Sequence, residues 1–336
     1  MTDIARLKAD LKALPKPELK RFWADLGYIL LPAAPEWLDR PETDVQRERL
    51  LAGITAALSA DLIAAGLVEV VQQTALSPRL RGEGWDEGHS ATQVSSFAPH
   101  PNPLPVNGER EMPGAISETI ATIVRDFYDL IPTSPVPAKK GGNGFNGCLQ
   151  IYAVARLLQP KVIIESGVFR GQTTWVLRKA CPQATIFCFD VDLSNLKYKD
   201  RDAIYSQADW SGFDLSAIPA SETLCFFDDH IDQGRRVLEA RARGLTRLLF
   251  DDNAGAARIH TVGGPPIPSL DMLMDASLDG ADLAWSYRGK RYGCHIDTPV
   301  AKDVRNAVAS LRNFADMHAV TGYTPARITY VSLRDR

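Results

Sequence analysis

The sequence predicts an α/β protein, a doubly wound and mostly parallel seven-stranded sheet preceded by an N-terminal helical region. Two observations carry this reading. Beyond Cys148 short continuous apolar runs recur, at 161–166, 185–190, 203–206, 223–228, 246–251, 281–287 and 326–333. Helical stretches at 172–180, 232–243 and 269–277 lie between them. Parallel strands buried on both faces are apolar throughout and need crossover helices, which is the texture this alternation produces.

The N-terminal part reads differently. Ile4, Leu7, Leu11 and Leu14 recur at helical spacing before Pro15 and Pro17 interrupt; a second helical segment runs from Glu18 to about Leu31. A third begins at Thr43 or Asp44, either of which offers a cap. The run from Leu50 to Val71 holds only Asp61 and Glu69 as ionisable residues, and its length would suffice for a membrane span. Two carboxylates at hydrocarbon depth are costly, however, and Ser59 reads as an N-cap. A buried helical pair is the expectation. At Ser77 the composition changes abruptly, and Pro and Gly stay dense to Pro113 without periodicity. The two ends of this stretch resemble peptides encoded by palindromic repeats dispersed through some bacterial genomes, which implies a passive, disordered insertion. His89 and His100 within it are set aside as ligands. The expected organisation is therefore a helical region at 1–76, the insertion at 77–113, a helix and linker at 114–142, and a ligand-binding domain at 143–336.

At 336 residues the prior is about two domains, and 45% hydrophobic with 24% charged residues is ordinary for a soluble globular chain. A net charge of -3 gives no electrostatic grip on nucleic acid or on acidic membrane, so a small molecule or glycan is the expected partner. Five scattered cysteines without a Cys-x-x-Cys pair, and no basic-then-apolar leader, suit a reducing cytoplasm.

Three motifs carry chemistry. In Val162-Ile-Ile-Glu-Ser-Gly-Val-Phe-Arg-Gly-Gln-Thr-Thr-Trp175 a strand ends at Glu165, turns through Gly167 and Gly171, and enters a helix. Glycines permit close backbone approach, and a helix N-terminus favours an anionic group. Asp190 ends the next strand and could accept from ribose hydroxyls, with Asp192 as its solvated neighbour. Asp209 and Trp210 follow the third strand; they read equally as an adenine acceptor with a stacking ring or as a capped turn with a packed Trp. Finally, Leu224-Cys-Phe-Phe-Asp-Asp-His230 and Leu248-Leu-Phe-Asp-Asp-Asn253 bring two acidic strand ends side by side, which repel unless a cation or protons intervene.

The first segment resembles the (Asp/Glu)-x-Gly-x-Gly-x-Gly signature of class I S-adenosylmethionine-dependent methyltransferases, with Phe169 at the place of the middle glycine. The resemblance spans about 143–333 and implies the Rossmann-like methyltransferase fold and S-adenosylmethionine as cofactor. Glu165, Gly167, Phe169, Gly171, Thr173, Asp190, Asp209 and Trp210 would contact that cofactor, Glu165 near its amino group. The acidic ends are similar to those of metal-dependent O-methyltransferases of the catechol, macrolide-sugar and cephalosporin-biosynthesis types. That similarity implies Mg²⁺ held by Asp229, Asp252 and Asn253, and methylation of a hydroxyl. The catechol type has a lysine base three residues past its first metal aspartate; Asp232 stands there, so His230 is taken as the base, with a purely structural histidine as its alternative. Tyr287–His295 reads as a basic, aromatic loop suited to an anionic or sugar-like acceptor, and His260 with Gly263–Pro266 as a flap. The helices before 76 are expected to cover the cleft, shape the acceptor site or form a homodimer contact. A metal-free methyltransferase and a non-catalytic binding protein of the same fold remain as the other readings.

Overall fold

A computed structural model describes residues 43–68, 114–136, 143–259, 267–326 and 328–335. The expectations for 1–42, for the insertion at 77–113 and for His260 and 263–266 lie outside the described residues.

Helices α1 (Asp44–Ala64), α2 (Gly114–Leu130) and α3 (Phe145–Leu158) precede the sheet. Helix α1 opens on a capping box in which Thr43 and Gln46 each accept from the other's backbone N–H. It continues through Ser59, which is buried within it, so the expected break into two helices does not occur. A serine is an N-cap only where the preceding turn is non-helical, and the Leu51, Ile54, Leu58 and Leu62 stripe keeps this segment helical against its neighbours. Asp61, also buried, accepts from Arg312 and from the Ala315 amide. Among the described residues no helix is long and apolar enough to cross a membrane.

The strands are β1 (Val162–Ser166), β2 (Thr185–Phe189), β3 (Ile204–Ser206), β4 (Thr223–Phe227), β5 (Arg247–Phe250), β6 (Asp282–Tyr287), β7 (Lys290–His295), β8 (Val308–Asn313) and β9 (Thr329–Leu333). Helices α4 (Gln172–Ala180), α5 (Gln233–Ala242), α6 (Leu270–Met274), α7 (Thr298–Ala307) and α8 (His318–Thr321) lie between them. The main sheet has seven strands in the order β3-β2-β1-β4-β5-β9-β8, with β9 antiparallel to both neighbours.

Its centre is covered on both faces. Along β1, β4 and β5 successive side chains alternate between two cores. Ile163, Leu224, Phe226 and Leu249 join α1–α4 on one side. Ile164, Cys225, Phe227, Leu248 and Phe250 join α5–α7 on the other. At roughly 1.5–3 kcal/mol per fully buried large apolar side chain, this double burial is what makes the parallel centre stable.

Two strand expectations need correction. The run at 281–287 does not enter the sheet; its residues 282–287 form a separate hairpin with Lys290–His295. The exposed and half-buried residues of β6 strictly alternate, the pattern of a strand with one wet face. The seventh sheet strand is instead β8, whose mixed Val-Ala-Ser-Leu-Arg-Asn composition is that of a sheet edge.

Candidate active site

Parallel strands deliver their carboxyl ends to one edge, and β1 is the point where the order reverses, with β2 on one side and β4 on the other. The residues that follow β1, β2, β3, β4 and β5 together line one cavity of about 590 Å³. That volume suits a nucleoside-sized ligand with a substituent.

The glycine turn forms its floor. Gly167 has φ +93° and Gly171 has φ +82°, and a Cβ on either would stand 2.2 Å from a backbone carbonyl oxygen, of Asp228 and Tyr198 respectively. Phe169 lies in the left-handed region at φ +47°, where glycine is the unstrained residue, and its ring is 39% exposed at the cavity wall. The turn is held by Asp190: its Oδ2 accepts from the amides of Val168 (2.8 Å) and Phe169 (2.7 Å), and its Oδ1 accepts from the Asp192 amide. A carboxylate offers about four acceptor positions, so roughly one remains for a ribose hydroxyl. Asp190 therefore positions the loop first and meets a ligand second. Thr173 and Gln172 open α4 and both line the cavity. The Gln172 Nε2 is buried there without a partner, an orphaned donor of the kind a bound ligand satisfies.

Glu165 is placed otherwise than expected. It is fully buried, does not reach the cavity, and accepts from Thr174 Oγ1 at 2.6 Å while its Oε1 has no partner. A strand residue two before the turn points into the core under α4, not out over the crevice. Burial pushes its carboxyl up to about 8. A group whose folded value is raised stabilises the fold fully below its unfolded value, near 4.3, and that contribution is lost as pH rises through about 8. Wild-type protein is therefore expected to lose stability on the order of 4 kcal/mol more than Glu165→Gln between pH 5 and pH 9. Thermal melts of both proteins across that range check it; parallel curves would contradict a protonated Glu165.

Asp209 and Trp210 take the capped-turn arrangement. Trp210 is fully buried, 5.4 Å from the Phe227 ring, and does not line the cavity, so the expected stacking platform is not formed. Asp209 caps the turn through Ser211 and receives both Nη atoms of Arg236. Burial works against the Asp209 charge, but Arg236 and Ser211 outweigh it and hold the carboxyl well below the usual range. Asp209 lines the cavity, but three of its roughly four acceptor positions are taken by Ser211 and Arg236.

The metal ligands implied by resemblance do not fit. Asp229 Oδ2 accepts from Ser166 Oγ (2.6 Å) and from Arg236 Nε (2.9 Å), and its Oδ1 accepts from the Ile231 amide. Its charge is already compensated. Asn253 is buried below the edge, where Nδ2 donates to Asp271, Asn313 and Thr329 and Oδ1 accepts from the Asp271 amide. Of the expected set Asp229 and Asp252 line the cavity, and with Asp229 held by Ser166 and Arg236 the member that no arginine engages is Asp252. The aspartate that joins it is Asp228, the first of its pair, and both carboxylates converge with His230: one ligand atom from each lies within 4.8 Å of the others. His230 Nδ1 is 3.7 Å from Asp252 Oδ2, a charge contact rather than a hydrogen bond. His230 and Asp252 both adopt positive φ, 54° and 56°. Burial, then repulsion among Asp228, Asp251 and Asp252, pushes the Asp228 and Asp251 carboxyls above the usual range.

The sequence reading passed over Asp228, Asp251, Ser166, Gln172 and Arg236. Counting from the last paired residue of each strand, Phe227 and Phe250, puts the first aspartate of each pair at the edge, a signal that was present. Arg236 carried none, being one of several arginines on α5. The basic segment 287–295 is the turn and second strand of the hairpin, with Trp285 stacked on Tyr292 at 5.5 Å.

The seven-stranded order, the reversal at β1 and the glycine turn beneath the ligand crevice are together decisive. The chain has the class I S-adenosylmethionine-dependent methyltransferase fold. No family model and no curated protein sequence matches it. Among solved structures it is similar to a candidate O-methyltransferase from Klebsiella pneumoniae (14% identity, 63% of this chain and 90% of that one, TM-score 0.37). It is also similar to a precorrin-6y C5,15-methyltransferase from Geobacter metallireducens (11%, 60% and 94%, TM-score 0.35). A methyltransferase from Geobacter sulfurreducens gives 14%, 63% and 89%, with a TM-score of 0.32. At these scores the superpositions are partial, and the class I fold is read from the strand order and loop geometry of the chain itself.

Proposed function

We propose that the cavity binds S-adenosylmethionine and that the chain is a methyltransferase acting on a hydroxyl of a small molecule or glycan. One observation carries this: a single cavity gathers the glycine turn, Asp190, the orphaned Gln172 amide and the convergent Asp228–His230–Asp252 group. The first three suit a nucleoside joined to an amino acid. The last suits an acceptor whose proton must leave.

When bound, the cofactor supplies an electrophilic methyl group on a sulfonium. The chain's own residues do the rest. The Val168–Gly171 turn and Asp190 hold the ribose side, and Thr173 and Gln172 face the anionic end at the start of α4. His230, its side chain 53% exposed, is the member of the acidic group that an acceptor meets first. With Asp252 beside it, a positive charge arising there is stabilised. Magnesium assistance through Asp229, Asp252 and Asn253 is left out, because Arg236, Ser166 and the Asn253 network occupy two of those three residues.

Transfer of label from methyl-tritiated S-adenosylmethionine to a panel of sugar and phenolic hydroxyls tests the reading. His230→Ala is expected to lower kcat by about 100-fold or more while cofactor affinity stays within about twofold. Unchanged turnover would remove the acidic group from the chemistry. Absence of transfer to every acceptor alongside tight cofactor binding would favour a non-catalytic binding protein.

A further inference from the structure

We infer that the hairpin of β6 and β7 is a second binding surface, which holds a phosphate group carried by a glycan acceptor. The inference rests on the reading above in taking the bound glycan as the acceptor; the binding itself needs no methyl transfer.

The two strands pair only with each other and belong to no larger sheet. Opposite residues of an antiparallel pair share a face, so Leu283, Trp285, Tyr287, Lys290, Tyr292 and Cys294 lie on one side. Leu283, Trp285 and Cys294 anchor that side on the core beneath α5–α7. Tyr287 and Tyr292 are half-buried outside both cores, and Lys290 is exposed at the turn. The Trp285 and Tyr292 rings stack with their planes 13° apart and form an apolar shelf beside the cation.

The charge of the tip is one-sided. No acidic residue stands between Asp282 and Asp297, yet Arg288, Lys290 and Arg291 are all exposed there, in a chain of net charge -3. The hairpin's ion pair among the described residues is His295 with Asp282, 2.9 Å apart at the opposite end. Arg288 and Gly289 both lie in the left-handed region, at φ +49° and +80°. A two-residue turn of this kind favours Asn-Gly or Gly-Gly, and an arginine at its first position is strained. Among the described residues the partner of that arginine is the Tyr287 ring, 5.1 Å from its guanidinium carbon. The fold has no use for a guanidinium at so exposed a tip; the strain sets a third cation next to Lys290 and Arg291.

Three cations on one turn suit a dianion. A phosphate monoester carries close to two negative charges near neutral pH, and a guanidinium meets its oxygens as a fork. The aromatic shelf suits the apolar face of a sugar ring. The root of the hairpin lies near the cavity: burial, then the charge of Asp232, raises the Cys294 thiol above its ordinary value, and Asp232 caps α5 two residues past His230. From Cys294 to Lys290 the strand covers about 13 Å. An oligosaccharide phosphorylated away from its methylated hydroxyl spans that distance, whereas a single sugar does not.

Calorimetric titration of the purified, cofactor-free protein with mannopentaose 6-phosphate, unphosphorylated mannopentaose and inorganic phosphate tests the surface. The phosphorylated glycan is expected to bind at least tenfold more tightly than either of the others. Its affinity should fall at least fivefold as salt rises from about 0.05 M to 0.5 M. A variant carrying Arg288→Gln, Lys290→Gln and Arg291→Gln should weaken it at least tenfold, while the melting temperature and the response to S-adenosylmethionine stay those of the wild type. Arg288→Asn, which gives the turn its favoured pair, should melt no lower than the wild type and still bind at least threefold more weakly. No binding of the phosphorylated glycan, equal binding of its unphosphorylated form, unaltered binding by the triple variant, or tighter binding of a single-stranded oligonucleotide would each overturn the surface. The cofactor titration is a separate measurement, so these outcomes leave the methyltransferase reading to its own test.

Discussion

Replacing Gly167 by alanine is expected to prevent formation of the cofactor crevice. The residue sits at φ +93°, and a Cβ there would lie 2.2 Å from the Asp228 carbonyl oxygen, 2.4 Å from its carbon and 2.7 Å from the Asp229 nitrogen. All three atoms belong to backbone, so no rotamer change relieves the contact. The chain after β1 and the chain after β4 would have to separate, and the Gly167 amide bond to the Phe189 carbonyl and the Asp228 amide bond to the Ser166 carbonyl would strain with them. Backbone strain and close contact together place the loss at about 4 kcal/mol or more, at the severe end for single substitutions. Chemical denaturation with intrinsic fluorescence measures it. A loss below about 1 kcal/mol would mean that the turn is far more plastic than its geometry shows.

Arg236→Met is the second large effect. Its guanidinium is 1% exposed and contacts Asp209, Asp229 and Glu239 at 2.7–3.0 Å. Burial of the arginine works against its charge, but Asp209 leads the interactions that overcome it. Removing one partner of a buried charge network leaves the others uncompensated, which costs about 3–5 kcal/mol. Arg236→Lys is expected to recover only part of that, because an ammonium cannot bridge two carboxylates in a fork. Denaturation midpoints of the three proteins decide it. Methionine as stable as arginine would show that the network contributes no net stability.

The sheet was legible because its central strands are apolar on both faces. Six of the seven predicted runs became sheet strands, and the acid at the end of β2 fell at the loop it serves. What was not legible depended on edges and on side-chain competition. Strand β8 mixes polar and apolar residues because one side of it is solvent, and β6 looked like its neighbours because a hairpin lying on a core buries every other residue. Within the site, spacing placed the acidic pairs at the edge, but Arg236 on α5 engages Asp229 and a buried network turns Asn253 away, and a local motif contains neither. Glu165 shows the same limit: the motif located it correctly at the strand end, while the pleat turned it into the core.

Calorimetric titration of the protein with S-adenosylmethionine, beside the Asp190→Ala variant, tests the central claim most directly. One site per chain with micromolar affinity is expected in the wild type. The variant loses the carboxylate that holds the Val168 and Phe169 amides, and is expected to bind at least about 100-fold more weakly, near 3 kcal/mol. No detectable binding by the wild-type protein, or equal binding by the two, would contradict the assignment of this cavity to the cofactor.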